Sequence, residues 1–272
     1  MRSFVLVPLA LTCLLLTPAA AQTGSQNNLV LTVFAGAVTG HTLWTVGKQP
    51  ITVLGDTSGR YDTLRLSRQV SSSLVLGVTA TYFPWPHVGF HAEVSYLGLP
   101  VDSYCNGVYY HPDTSGGIDL RRNEQMCDDI QAQAGFGGAI SVFTGVTLRA
   151  ASRRAFSPYV RGSVGFVSQP RSMIEMNAAF VDPGGLQIRQ ILADPKPRNT
   201  SVMFGAAVGF TSPLGTGYQF RFEARDVVTS LERLLGPANS LGIGPTAARS
   251  YHHFSLTLGF DVVLERKRGR RY

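Results

Sequence analysis

Six charged residues lie within apolar segments, each on the face opposite the apolar side chains. Successive side chains of a strand point to opposite faces, so a spacing of two residues gathers these charges on one side. Charges enclosed in a narrow space need partners, because an unpaired one costs several kcal/mol. The sequence therefore predicts an enclosed polar network. Together with two histidines on the same faces, its members are His91, Glu93, Arg161, Arg221, Glu223, Arg225, His253 and Asp261.

A histidine two residues before a serine, in His253-Phe254-Ser255, has the spacing of a base and a nucleophile on one strand face. No carboxylate occupies an obviously matching position, so we expect both side chains to be polar lining and predict no catalytic residue. The sequence contains no cluster like a zinc site and no phosphate-binding glycine loop followed by lysine. We therefore predict no metal and no cofactor.

Two cysteines, Cys105 and Cys127, remain in the chain beyond its leader. In an exported protein a disulfide between them is favoured over two free thiols, and the bridge would contribute about 3 kcal/mol. They lie in the segment 99–132, which also carries three tyrosines. Aromatic residues dominate interface hot spots, so this segment is a candidate surface for an extracellular partner, with a merely solvated loop as the alternative.

The leader, residues 1–21, has the pattern of a secretory signal peptide. Arg2 precedes an apolar run, and Ala19-Ala20-Ala21 forms a small-residue cleavage site before Gln22. A retained anchor is the alternative. After Ala21 there is no run of about 18 apolar residues, so a transmembrane helix is not expected. The predicted organisation is a leader (1–21), one domain (22–264) and a short basic tail (265–272).

Eight segments of the domain alternate between apolar and polar residues with a period of two, although the first does so less clearly. The predicted strands cover residues 28–38, 71–83, 88–98, 133–148, 158–168, 201–211, 218–228 and 251–264.

The connections between these strands alternate in length as well. Gaps 39–70, 99–132, 169–200 and 229–250 are long, whereas 84–87, 149–157 and 212–217 are short. This order predicts an all-β fold, an eight-stranded antiparallel up-and-down transmembrane β-barrel with four long outer loops and three short periplasmic turns. The clear strands are long enough for a tilted crossing, and closure leaves no unpaired edge in lipid.

A soluble ligand-binding barrel would show the same alternation with its apolar face inward. Aromatic residues near the short turns favour the membrane barrel, because they resemble an interfacial girdle. The glycine-rich polar face favours it too. The residues expected in this girdle are Tyr82, Phe83, Trp85, Phe156, Tyr159, Phe210 and Tyr218.

The formal net charge of +7 on 272 residues would at first suggest a nucleic-acid partner. Arg2 and the tail 265–272 account for +5 of it, so little positive charge is left for the barrel. We therefore expect no nucleic-acid binding. With an arginine cluster in one short turn, the tail predicts a basic periplasmic rim near anionic headgroups, and a solvated, disordered end is the alternative for the tail.

The signal pattern, the eight alternating segments, the order of the loops and the closing segment FSLTLGFDVVL resemble the small eight-stranded bacterial outer-membrane β-barrel proteins. The resemblance implies an outer-membrane location among lipid and lipopolysaccharide, and insertion by the barrel assembly machinery. It also implies a plugged lumen, which agrees with the narrow interior of eight strands. This favours a structural or surface-interaction role.

Two other functions stay open at this point. One is a narrow, porin-like channel or transporter for small or apolar solutes. The other is lipid A modification, because some small outer-membrane barrels are deacylases that use a His-x-Ser pair with a carboxylate.

Overall fold

The computed structural model describes residues 28–52, 61–111, 118–133, 135–150, 156–168, 176–182, 184–192, 200–229, 246–247 and 250–265. The predicted signal peptide (1–21) and, apart from residue 265, the predicted tail lie outside these residues. Within the described part, no helix is long and apolar enough to cross a membrane.

The described residues form thirteen strands and one helix. In chain order they are β1 (Asn28–Val38), β2 (His41–Thr52), β3 (Tyr61–Val70), β4 (Ser73–Phe83), β5 (Val88–Tyr109), α1 (Ile118–Ala132), β6 (Gly135–Arg149), β7 (Ser157–Ser168), β8 (Met176–Asp182), β9 (Gly185–Leu192), β10 (Thr200–Gly215), β11 (Tyr218–Thr229), β12 (Thr246–Ala247) and β13 (Tyr251–Glu265).

Eight of these strands close into a ring in the order β1, β4, β5, β6, β7, β10, β11 and β13. Each neighbouring pair is antiparallel, and the ring closes where β13 pairs with β1, from Asn28 opposite Glu265 to Val38 opposite Ser255. The predicted eight-stranded barrel is confirmed. The strand ends agree with the predicted ones to within two residues, except that β5 and β10 continue further toward their C-terminal ends.

The outward face of every ring strand is apolar. Along β13, Leu256 and Leu258 are 47% and 53% exposed, whereas Ser255 and Thr257 between them are buried. Such a wide apolar band on the outside, with polar residues within, is the arrangement of a lipid-facing barrel. A soluble ligand-binding barrel would have the opposite arrangement. The membrane-barrel architecture predicted from the sequence is therefore confirmed.

The directions of the side chains on β1 explain why its sequence alternates less clearly than that of the other strands. Val30 and Phe34 on β1 are buried inside the barrel, while Leu31 and Val33 face outward. Both faces of this strand therefore carry large apolar residues, which hides the alternation. Phe34 fits inside because Gly77 of the neighbouring strand has no side chain at the point where the ring of Phe34 passes.

The described parts of the long connections form further strands and one helix. The hairpin β2–β3 continues the sheet beyond the ring, because β3 pairs with the second half of β5, from Val70 opposite Val101 to Thr63 opposite Tyr109. β12 pairs with β2, and β8–β9 form a separate hairpin. We call β2, β3, residues 101–109 of β5, α1, β8, β9 and β12 together the outer cap.

Helix α1 joins two strand edges of the outer cap through side chains. The Gln131 amide donates to the carbonyl oxygen of Cys105 on β5, at 2.7 Å. On its other side, Asp129 accepts from the backbone N–H of Ala179 on β8, at 2.9 Å. These bonds satisfy backbone groups that would otherwise form exposed sheet edges.

The disulfide Cys105–Cys127 fastens the same helix to β5, and the predicted bridge is therefore confirmed. Beneath α1, the side chains of Met126 and Ile130 are fully buried in an apolar core. That core continues without interruption into the outer end of the barrel, where it includes Phe143 and Met203. The outer cap is thus packed onto the barrel mouth.

Candidate functional site

Four inward residues from three ring strands meet near the middle of the barrel. Glu93 lies on β5, Arg161 on β7, and Glu223 and Arg225 two residues apart on β11. All four side chains are less than a tenth exposed. The alternation of each strand turns them inward, and the closure of the ring brings β5 opposite β11. We call these residues the four-residue cluster.

Each arginine of the four-residue cluster contacts both carboxylates. Arg161 donates from Nη2 to Glu93 Oε2 at 3.0 Å and from Nη1 to Glu223 Oε2 at 2.9 Å. Arg225 donates from Nη2 to Glu93 Oε2 at 3.0 Å and to Glu223 Oε1 at 2.7 Å. Two positive and two negative charges therefore neutralise one another inside the lumen.

Neutral donors complete the coordination of the two carboxylates. The Thr79 hydroxyl donates to Glu93 Oε2 at 3.1 Å, and the Tyr159 hydroxyl donates to Glu223 Oε2 at 2.8 Å. A buried ion pair is tolerated only when further hydrogen bonds satisfy its lone pairs. Both carboxylates of the four-residue cluster meet that requirement, whereas the buried Nε of Arg161 has no hydrogen-bond partner among the described residues.

A separate ion pair, outside the four-residue cluster, lies nearer the short turns. Arg221 and Asp261 approach to 3.1 Å, and the Arg221 guanidinium stands 5.3 Å from the centre of the Tyr159 ring. Tyr159 thereby links this pair to the four-residue cluster. His91 is buried nearby. Its Nδ1 lies 3.1 Å from the Thr147 hydroxyl and not against a group of the four-residue cluster or of the Arg221–Asp261 pair.

His253 lies apart from these ion pairs. Its ring is buried at the outer end of β13 and stands edge-on to the ring of His41, with centroids 4.5 Å apart. His41 itself belongs to the outer cap, and burial lowers its pKa below the usual 6.5. Among the described residues, no hydrogen bond joins His253 to Ser255. The structure thus places seven of the eight predicted lumen residues near the ion pairs and one beneath the cap.

Two small cavities flank the four-residue cluster inside the lumen. Each has a volume of about 20 Å³, and one lies near His253 and the other near Asp261. A volume of that size holds about one water molecule. Toward the outer mouth, Leu97, Phe143 and Met203 add an apolar layer above the cluster.

The predicted aromatic girdle is partly wrong. Tyr82, Trp85, Phe156 and Tyr218 do face outward, at 43% to 57% exposure. Phe210 is half-buried and stacks on Phe156, with ring centroids 4.8 Å apart.

Phe83 and Tyr159, which were also expected in the girdle, point into the lumen and are 5% and 6% exposed. The reason is strand parity, because each stands one position away from an outward residue. Phe83 packs under the Arg149 guanidinium, which is 3.8 Å from its ring centre, and Tyr159 bonds Glu223. The alternation of β4 and β7 could have identified both as inward residues, together with Thr79, which sequence reasoning also missed.

A metal centre finds no support in this part of the chain. Within the described ranges, no group of three or more His, Cys, Asp or Glu side chains is placed to hold an ion.

Comparison with known proteins identifies no family. No family model matches the chain, and no curated protein matches it either. Among solved structures, the outer membrane protein AlkL is similar at 16% identity, covering 92% of this chain and 96% of AlkL with a TM-score of 0.41. Neisserial surface protein A is similar at 11% identity, covering 86% and 96% with a TM-score of 0.36.

Ail of Yersinia pestis, solved with the heparin analogue sucrose octasulfate, is similar at 9% identity. The match covers 89% of this chain and all of Ail, with a TM-score of 0.35. At these values the assignment of the fold rests on the chain's own closed ring, outward apolar band and alternating loop lengths. The chain therefore has the architecture of the eight-stranded β-barrels of bacterial outer membranes.

Proposed function

We propose that this chain is an outer-membrane protein whose barrel is a closed anchor and whose outer cap serves interactions at the cell surface. The four-residue cluster carries the first half of the proposal. Its guanidinium and carboxylate groups fill the middle of a lumen that eight strands leave only wide enough for side chains. The cavities on either side, about 20 Å³ each, support a barrel without steady conductance.

The structure of the outer cap supports the second part of the proposal, its role in interactions at the cell surface. A disulfide, side-chain bonds from α1 and an apolar core shared with the barrel all hold it in one arrangement. Rigid surfaces bind with less loss of conformational entropy. Exposed aromatic side chains of the cap, Tyr61 at 44% and Tyr104 at 49%, are suited to an extracellular partner.

The surroundings of the barrel follow from its outward face. The apolar band calls for acyl chains of outer-membrane lipids, with lipopolysaccharide at the outer rim. A closed barrel of this kind would be inserted by the barrel assembly machinery.

We also propose that the protein is not a lipid A hydrolase. His253 and Ser255 point into the lumen, where both are less than a tenth exposed, and not toward the lipid that such a reaction needs. Asp226, the carboxylate nearest along β11, pairs instead with the exposed His252 at 2.8 Å. An unchanged lipid A acyl pattern on expression, compared with Ser255→Ala, is the expected result, and a pattern that depends on Ser255 would overturn it.

Orientation in the membrane tests the proposed role of the outer cap. Lys48→Cys places an accessible thiol on the cap, and Pro86→Cys places one in a short turn. On intact cells, a membrane-impermeant maleimide should label Lys48→Cys and should reach Pro86→Cys only after the envelope is opened. Equal labelling of the two variants on intact cells, or labelling of Pro86→Cys alone, would contradict the proposal.

A further inference from the structure

We infer that the outward surface of β13, β1, β4 and β5 carries a groove that holds one acyl chain of a membrane lipid. The groove has a volume of about 800 Å³, is open toward the surrounding lipid and lies wholly within the apolar band. The inference rests on the proposed location of the barrel in a membrane.

The floor of the groove is a single row of backbone. Phe34 lies opposite Gly259 on one side and opposite Gly77 on the other, and Gly77 lies opposite Ser95. The side chains of Phe34 and Ser95 turn into the lumen, and a Cβ at either glycine would point inward as well. A ligand on the outside therefore approaches the strands closely along this row.

Two rows of outward side chains form the walls. Val33 and Val78 belong to one row, and Leu76 and Leu258 belong to the other. Ala35 stands between Leu76 and Leu258, as the pairs Ala35–Leu76 and Ala35–Leu258 show. Because Ala35 has only a methyl group, the second wall is low at its centre, and the groove is widest at this point.

The chemistry of the lining selects an apolar chain. The side-chain oxygens along the groove belong to Ser95 and Tyr96, and the Ser95 hydroxyl is bonded inward to Ser141 at 2.7 Å. A peptide or headgroup placed here would leave its polar groups unsatisfied in a medium without water. An acyl chain needs no such partner, and van der Waals packing against the walls would hold it longer than chains elsewhere around the barrel.

Ala35→Leu tests the inference by filling the groove at its widest point. Ala206→Leu is the matched control, because Ala206 also faces outward but lies on β10, on the other side of the ring, opposite Gly162. The full chain is purified in detergent micelles that contain dipalmitoyl phosphatidylethanolamine. Native mass spectrometry then counts the lipids that remain bound after the micelle is removed.

We expect one retained lipid on the unchanged protein and on Ala206→Leu. In Ala35→Leu the lipid-bound fraction should fall about fivefold, because the added side chain removes packing contacts in the middle of the chain. The inference is overturned if the unchanged protein retains no lipid, if both variants lose it equally, or if a second protein copy appears in its place. Heat-modifiable gel migration of all three proteins verifies the barrel separately, so loss of that property would count against the proposed function itself.

Discussion

Glu93 and Arg225 lie 132 residues apart along the chain, yet they bond across the lumen, with Arg225 Nη2 3.0 Å from Glu93 Oε2. Arg225 Nη1 contacts the second carboxylate oxygen, so the guanidinium binds the carboxylate through two nitrogens. This contact between β5 and β11 can form only when the ring is closed. It connects the closure of the barrel with the proposed obstruction of its lumen.

Glu223→Gln should destabilise the barrel by about 3–5 kcal/mol, because two buried guanidiniums would then share the one remaining carboxylate of the four-residue cluster. Urea titration in detergent, followed by gel migration of folded and unfolded protein, measures the change. Asp226→Asn is the control. Its partner His252 is largely exposed, so the expected loss is below about 1 kcal/mol. Equal losses of unfolding free energy in the two variants would show that the four-residue cluster stabilises the barrel no more than an exposed ion pair does.

Two glycines of β7 should respond differently to alanine. A methyl group at Gly165 would collide with the carbonyl oxygen of Val142 on the neighbouring strand, whereas one at Gly162 meets nothing within 4 Å. Gly165→Ala is therefore expected to cost about 1–3 kcal/mol of unfolding free energy, and Gly162→Ala almost none. The same urea titration measures both, and the opposite order would refute the packing described for β7.

Loss of the disulfide should affect the outer cap and leave the ring intact. In Cys105→Ser/Cys127→Ser, we expect amide hydrogen exchange in α1 to become faster by an amount equivalent to about 2–4 kcal/mol. Exchange in β1 and β13 should not change, because the bridge does not contact them. Ser103→Ala, a neighbouring change on β5, serves as control. Faster exchange throughout the barrel would contradict the separation of cap and ring.

The stability of the outer cap should depend on pH through His41. Burial holds the pKa of this residue below 6.5, so the folded cap favours the neutral ring. In the unfolded cap, His41 takes up a proton near pH 6.5. The stability contributed by its neutral ring is therefore fully present above that pH and decreases as the pH falls below it. His41→Phe keeps a ring against Tyr251 and His253 without the titration.

Hydrogen exchange of β2 at about pH 7 and about pH 5 measures this effect. The loss of protection at the lower pH should be smaller in His41→Phe than in the unchanged protein. An identical loss in the two proteins would rule out His41 as its source.

The ring strands were predictable because lipid on one side and a polar lumen on the other impose strict alternation. The same alternation turned the charged residues inward, so most of the candidate site could also be named. It could not show which charges pair, since Glu93 and Glu223 meet their arginines only after closure of the ring. Phe83 and Tyr159 were misplaced because proximity to a turn was given more weight than strand parity.

The outer cap was missed for other physical reasons. On β2, irregular pairing around Leu43 and Trp44 makes two adjacent residues buried, which breaks any period of two. On β3 a charged residue, Arg68, occupies a buried position where the pattern calls for an apolar one. Helix α1 is polar along most of its length, and a strand edge and a disulfide help to hold it in place.

The current through a planar lipid bilayer containing the purified full-length chain tests the closed lumen most directly. We predict no steady current above that of the bare bilayer, because the four-residue cluster fills the middle of the lumen and each of the two cavities beside it holds about one water molecule. A general porin in the same bilayer provides the positive control. A steady open current comparable to that of the porin would contradict the closed barrel.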